Sequence, residues 1–237
     1  MSETRGTQRR QQVQAALDEL ALLPLDEESP RTVLQKVVGL VARVMPGGSD
    51  VSLTVVRNEQ PTTAASTGPR ARALDETQYR RGYGPCVEAA IGGHVVEISD
   101  GRTESRWPDF MPTFLGAGAL SSLAVPVPAA QLSAGLNVYA SRVEAFAEED
   151  RQTLTRFADF AAVVLTNIDA LQNARELAEN LRRAMEFRAV IEQAKGILIE
   201  RHKLTADQAF RLLAEASQRA NRKLHDIAED LVLTGEL

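Results

Sequence analysis

A single cysteine, Cys86, is present among 237 residues, which excludes an intramolecular disulfide framework and a cysteine-based structural zinc site. No apolar run approaches the ~18–20 residues that cross a bilayer, so no membrane span is expected. The first ten residues carry basic side chains with no apolar stretch behind them. A secretory signal is therefore not expected, and the expected location is the cytoplasm. Catalytic signatures are missing too. His94, His202 and His225 show no metal-ligand spacing such as H-E-x-x-H, and there is no G-x-S-x-G elbow, P-loop or dinucleotide fingerprint. Gly116-Ala117-Gly118 starts like a glycine-rich loop but has Ser121 where the third glycine belongs, and reads as the end of a short helix. With no nucleophile–base pair or metal set to assemble, the chain reads as a non-enzyme with no cofactor and no metal.

Proline and glycine are unevenly absent. All ten prolines lie between Pro24 and Pro128, and residues 136–195 contain neither proline nor glycine. Those two residues disfavour helix interiors by roughly 3 and 1 kcal/mol relative to alanine, so a stretch lacking both permits unbroken helix. The earlier part holds turn formers and β-branched runs. Helices are predicted over 8–23 and 30–45, the latter ended by Gly47-Gly48, followed by strands at 51–56 and 62–66. Next come a helix at 75–81, a sharp turn at Gly82-Tyr83-Gly84-Pro85, a short helix at 86–91 and a strand at 94–98. Trp107 opens a further short helix to 115, and strands at 119–127 and 134–140 complete the set. Pro126 and Pro128 confine the end of the first of these to an edge or a strand terminus. Short strands interspersed with helices, without strict alternation, predict an α+β fold with an antiparallel sheet and flanking helices.

From residue 148 the pattern is helical. Phe157, Ala161, Val164, Ile168 and Leu171 alternate spacings of four and three, a coiled-coil seam that shifts through Ala174, Leu177, Leu181 and Ala184. This is more apolar surface than one small domain consumes, and it predicts a parallel homodimer; the alternative is a helix that packs only on its own sheet. Two further helices follow. Thr205-Ala206-Asp207-Gln208 is a capping-box sequence. The helix after it carries Ala209, Phe210, Leu213 and Ala216/Ser217 on one face, with Phe210 assigned to the core. Asn221 supplies a turn, and a last helix buries Leu224, Ile227, Ala228, Leu231 and Val232.

A net charge of −5 argues against a nucleic-acid partner for the chain taken whole. The charge is not uniform: residues 1–181 hold −6 and residues 182–237 hold +1. Arg211 and Arg219 share the polar face of the penultimate helix with Gln208 and Glu215. Arg222 and Lys223 follow, and Lys195 and Arg201 come from the preceding helix. Such bases neutralise phosphates, while Asn221 or Gln218 can hydrogen-bond an unpaired base. The competing reading is a solvated amphipathic face, which Glu215, Glu229 and Asp230 favour. Cys86 also has two readings: a thiol activated at a helix N-terminus, or a small buried filler. Trp107 reads as a packing anchor or a pocket lining.

The segments Arg188-Ala189-Val190-Ile191-Glu192-Gln193-Ala194-Lys195-Gly196-Ile197-Leu198, Asp207 to Leu213, and Ser217-Gln218-Arg219-Ala220-Asn221-Arg222-Lys223-Leu224 closely resemble the ANTAR domain of bacterial transcription antiterminators. Upstream, Gln78-Tyr79, Gly84 to Ala89, Asp100, Trp107-Pro108 and Gly135-Leu136-Asn137-Val138-Tyr139 resemble the GAF sensor domain of actinobacterial GAF-ANTAR proteins. Tyr83 departs from that pattern, where an acidic residue is usual. The resemblance implies an N-terminal helical segment (1–29), a GAF sensor (30–147), a connecting and dimerising coiled-coil helix (148–186) and an all-α three-helix ANTAR bundle (187–237). It implies binding to paired stem-loops in nascent leader mRNA, preventing a terminator. Carried over by position, Lys195, Arg201, Arg211, Arg219, Arg222 and Lys223 would contact phosphate or loop bases, and Ser217 and Asn221 would add polar contacts. Tyr83, Cys86 and Trp107 are the sensor candidates, with a small molecule or an upstream signalling protein as input and the ligand unknown. Two rivals are a DNA-binding helix-turn-helix regulator and an interaction protein whose GAF domain docks a sensor kinase. The long connecting helix and the lack of a glycine turn between the last two helices count against the first.

Overall fold

Along Val51-Ser52-Leu53-Thr54-Val55 apolar and small polar residues alternate, yet all five are buried. Successive side chains of a strand face opposite ways, so this strand belongs to a sheet covered on both sides. The computed structural model describes residues 2–23, 28–46, 48–129 and 132–237. In it β1 (Asp50–Arg57) pairs with β2 (Gln60–Ser66) and with β5 (Ser133–Ala140). β5 also pairs with β4 (Ser121–Val127), and β4 with β3 (Val96–Ile98). All pairings are antiparallel, and the order is β2-β1-β5-β4-β3. Pro126 pairs with Gly135 of β5, but β3 reaches only Ser122 to Ala124. The proline's missing N–H thus falls beyond the ladder on that side, as the strand-terminus expectation requires.

The two faces differ in chemistry. One meets α1 (Ser2–Ala21), α2 (Pro30–Val44) and the first part of α6 (Glu148–His202). There Val37 and Val41 of α2 and Leu154, Phe157 and Leu165 of α6 close on Leu53, Leu123, Leu136 and Val138. The other face meets α3 (Pro69–Arg81), α4 (Pro85–Gly92) and α5 (Met111–Gly116). Its apolar half joins Leu74, Trp107, Phe110 and Phe114 to Val96, Ile98 and Tyr139. Its other half is polar. Helix α3 begins at Pro69, six residues ahead of the predicted start, because proline is pre-organised for the first helical position. Of the Gly47-Gly48 stop predicted for α2, Gly47 lies outside the described residues; Gly48 has φ 81° and the helix caps at Met45. Gly84 sits at φ 147°, and a Cβ there would lie 2.4 Å from the Gln78 side chain, so the turn into α4 requires glycine on both counts.

Contacts divide the chain into compact units Met1–Asp169 and Ala170–Leu237. The seam read on α6 is consumed by the first unit's own core through Phe157, Ala161 and Val164, with Ile168 partly buried. Past it, Leu171, Leu177, Leu181 and Met185 are exposed. In the second unit the end of α6 packs with α7 (Ala206–Ala220) and α8 (Leu224–Thr234) around Ala194, Leu198, Ala209, Leu213, Ile227, Ala228 and Leu231. Thr205 forms the expected capping box: its Oγ1 accepts from the Gln208 N–H at 3.3 Å, and its own N–H donates to Gln208 Oε1 at 2.8 Å. One expectation fails. Phe210 is 43% exposed and not part of the core. Ala209 and Leu213 point inward, and at ~100° per residue Phe210 falls on the flank of that stripe.

Candidate functional site

The polar half of the second sheet face is a continuous buried network. Ser52 and Thr54 of β1, Asn137 and Tyr139 of β5 and Asp75 of α3 are all buried, and Thr63 of β2 and Tyr79 of α3 are partly so. Asp75 is the convergence point. Ser52 Oγ donates to its Oδ1 at 3.0 Å, the Tyr139 hydroxyl donates to the same oxygen at 2.7 Å, and Thr63 Oγ1 donates to Oδ2 at 2.9 Å. Behind these, Asn137 Nδ2 donates to Ser52 Oγ at 3.2 Å and to Thr54 Oγ1 at 2.9 Å, and Gln78 Nε2 donates to the Tyr139 hydroxyl at 3.1 Å. The Tyr79 hydroxyl lies 2.9 Å from Thr54 Oγ1 and 3.0 Å from Thr63 Oγ1. Gln78 Oε1 accepts the Cys86 N–H at 2.8 Å, tying the network to the first turn of α4.

Burial dominates the electrostatics. Desolvation outweighs the hydroxyl donors and lifts the Asp75 carboxyl to about 6. Burial, then the Asp75 charge, pushes the Tyr79 and Tyr139 hydroxyls up. Burial and then Asp75 also push the Cys86 thiol well above the ordinary thiol range. That is the reverse of an activated thiolate: of the two readings of Cys86, the environment is that of the filler. Trp107 is buried beside Phe110, with the Arg106 guanidinium 4.3 Å from its ring centroid. Tyr83 is partly buried and its hydroxyl donates to Asp109 Oδ2 at 2.8 Å. Asp75, Ser52, Thr54 and Thr63 were not singled out from the sequence. The β1 alternation is the one visible signal for Ser52 and Thr54, and it reads equally well as a solvent-facing polar side; Thr63 and Asp75 lie on other elements and carry no such signal.

In the second unit the bases differ in how free they are. Lys195 Nζ contacts both Glu192 oxygens at 2.8 and 2.9 Å, and Arg201 donates to the Gly235 carbonyl at the end of α8. Arg222 pairs with Asp230 at 2.6 Å, and Ser217 Oγ donates to the Arg222 carbonyl. Arg211, Arg219 and Lys223 are exposed and, among the described residues, have no carboxylate within ion-pair distance. Asn221 takes the left-handed conformation, φ 50°, and turns the chain between α7 and α8. That turn leaves Arg219 in the last turn of α7 and puts Arg222 and Lys223 directly ahead of α8, where the helix dipole is positive. Lys195 and Arg201 are occupied by partners on α6 and α8.

No curated protein matches the chain. Among solved structures, the GAF domain of the Acinetobacter phosphoenolpyruvate-protein phosphotransferase is similar over 70% of this chain and 98% of its own, with TM-score 0.54 and 16% identity. The GAF domain of the Coxiella burnetii phosphoenolpyruvate-protein phosphotransferase gives TM-score 0.52 at 16% identity, covering 70% of this chain and 96% of that one. Free methionine-R-sulfoxide reductase from Neisseria meningitidis, in complex with its substrate, gives TM-score 0.50 at 17% identity over 66% of this chain and 87% of that one. At these identities the likeness is one of fold. Residues 179–232 match the family described as ANTAR domain, and residues 27–166 match the family described as GAF domain. The second match spans more than half of the chain, which therefore belongs to the GAF domain family and joins its GAF domain to a C-terminal ANTAR domain.

Proposed function

We propose that this protein is a signal-responsive transcription antitermination regulator of the actinobacterial GAF-ANTAR type, acting in the cytoplasm as a homodimer. The ANTAR unit binds paired stem-loops in nascent leader RNA, and the GAF unit supplies the regulatory input. The observation that carries the RNA reading is the α7–α8 corner. Arg219 ends α7 and Arg222 and Lys223 lead into α8 on either side of a left-handed Asn221, with Arg211 free further back on α7. Such a corner suits phosphates close to an unpaired loop base, which the Asn221 amide can read. The pairing of Arg222 with Asp230 costs little to release, since water and salt screen an exposed ion pair. Two hairpins suit two copies of the bundle, and the exposed Leu171, Leu177, Leu181 and Met185 on α6 offer the seam that joins them.

The test titrates the full chain with a two-hairpin leader RNA and, separately, with duplex DNA of equal length, at several salt concentrations. RNA is expected to bind more tightly, and Arg219→Glu combined with Lys223→Glu is expected to weaken it about tenfold or more. The double change should also flatten the salt dependence by roughly one to two in log–log slope. Equal or tighter binding of DNA supports the helix-turn-helix rival and overturns this reading. A chain that binds neither nucleic acid and is indifferent to the double change supports the interaction-protein rival instead.

A further inference from the structure

At one edge of the sheet, arginines from three elements line a single cleft. β2 ends the strand order, and a cavity of about 410 Å³ runs along it. The floor is apolar, formed by Leu34 of α2, Val55 of β1, and Leu165 and Ile168 of α6. Val55 faces away from its neighbour Thr54, so this floor lies on the side of the sheet opposite the Asp75 network. The rim is basic: Arg31 comes from α2, Arg57 from the end of β1 and Arg72 from α3. Among the described residues no carboxylate lines the cleft, and neither Arg31 nor Arg72 has one within ion-pair distance. Glu28, three residues before Arg31, pairs with Lys36 instead. Arg31 and Arg72 also stand in the first turns of their helices, and neither first turn holds an acidic residue. The start of a helix carries positive partial charge, so an arginine there is unfavourable unless an anion joins it. Arg70, in the same turn as Arg72, has such a partner in Asp50. The arginine-lined cleft between α1 and α6 is compensated as well, because Arg9 and Arg10 pair with Asp150 and Glu149.

We infer that this cleft binds a small amphipathic anion, with an aliphatic body on the apolar floor and a phosphate or carboxylate head held by Arg31, Arg57 and Arg72. The cavity has the size of a small-molecule site, and guanidinium forks match an oxyanion through paired, charge-assisted hydrogen bonds. A bare phosphate leaves the floor wet, and a nucleic-acid backbone leaves it empty, so the floor selects a molecule with both parts. The same residues say where occupancy is felt. Leu165 and Ile168 belong to the last turns of α6 that the sheet covers, just ahead of the exposed Leu171. Arg57 bonds Asp169 of α6 at 3.1 Å, so an anion on Arg57 competes with that tie. An occupant therefore clamps α2, the β1–β2 edge and α6 at one point, where α6 leaves the first unit. The inference rests on the GAF unit being the input half, names the ligand class that input takes, and is independent of RNA binding.

The full chain is titrated by calorimetry with octyl phosphate, octanoate, inorganic phosphate and octanol, all below micelle-forming concentrations. A saturable site is expected for an octyl anion, about tenfold or more tighter than for inorganic phosphate or for octanol. Which of the two octyl anions binds more tightly separates a phosphate head from a carboxylate head. Binding should slow amide exchange at residues 62–64 and 165–168. Arg31→Gln combined with Arg72→Gln is expected to weaken the octyl anion about tenfold or more. The same double change should leave the unfolding temperature of the free chain unmoved or raised, because both side chains sit at the positive end of a helix. Absence of saturable binding by either octyl anion at millimolar concentration, or protection confined to other residues, overturns the site in the wild-type chain alone. A double variant that is less stable without ligand would show that the arginines serve the fold, and overturns it too. Loss of leader RNA binding with octyl anion binding intact would make the cleft an RNA contact and overturn the small-anion assignment. A chain that binds an octyl anion here yet binds no leader RNA supports the site and overturns the RNA reading.

Discussion

At Asp75 two effects of opposite sign act on one carboxyl group, and burial wins over three hydroxyl donors. The sign of the resulting pH dependence follows. The folded value, about 6, lies above the ordinary 3.8, so the folded state holds the proton more tightly than the unfolded chain does. This contribution to stability is fully present below pH ~4 and is lost as pH rises through 6, amounting to about 3 kcal/mol. Asp75→Asn keeps an acceptor for Ser52 and Tyr139 and removes the buried charge. We expect the variant to be more stable than the parent by about 1–3 kcal/mol at pH 8, with the gap closing toward pH 4, as measured by urea unfolding at both values. A variant less stable at pH 8 would mean that the hydroxyl donors outweigh desolvation. The sequence hides Asp75 for a definite reason. With α3 predicted to open at residue 75, an aspartate there is an ordinary helix-start residue. With α3 opening at Pro69 the same residue sits mid-helix against the sheet. Cys86 and Trp107, by contrast, were visible as candidates, and their burial was one of the two outcomes the sequence allowed.

Elements in this chain owe their ends to local chemistry and their faces to tertiary contact. The start of α7 is the clearest local case, because Thr205 and Gln208 satisfy each other's backbone N–H groups. Thr205→Ala should cost about 1 kcal/mol, seen as a lowered midpoint for the C-terminal unit in amide exchange, with the GAF unit unchanged. Helix α6 is the opposite case. The 4-3 spacing of Phe157, Ala161, Val164 and Ile168 reads as a dimer seam, yet the sheet of the same unit covers it. An apolar stripe states that something must cover it and not what. Phe210 is a third kind. It lies beside core residues in sequence, but its angular position puts it on the flank of α7.

Across the whole molecule, the division of charge and of apolar surface follows the division of labour. Residues 1–181 carry −6 and residues 182–237 carry +1, so the bulk acidity says little about the bases at the α7–α8 corner. Of the residues in the apolar seam of α6, those left uncovered in the chain by itself begin at Leu171. If they form the proposed homodimer seam, Leu177→Glu with Leu181→Glu should halve the mass of the full chain in sedimentation at micromolar concentration. Far-ultraviolet helicity should stay nearly unchanged. A mass unaltered by the double change would place the dimer contact elsewhere or exclude it.

By itself the sequence determined the α+β order of short strands and helices, the sharp turn at Gly82 to Pro85, the long helix permitted by the absence of glycine and proline, the capping box and the three-helix end. Each of these is a local property, set by backbone freedom, hydrogen bonding within a few residues, or periodicity. The tertiary structure decided what those elements face: that Ser52 and Thr54 are buried rather than solvated, that Asp75, Tyr139 and Asn137 form one network, and which bases are free and which are held by Glu192, Asp230 or Gly235. A strand or helix face is buried or exposed according to what packs on it, and the residues that meet at Asp75 come from positions 52 to 139 of the chain.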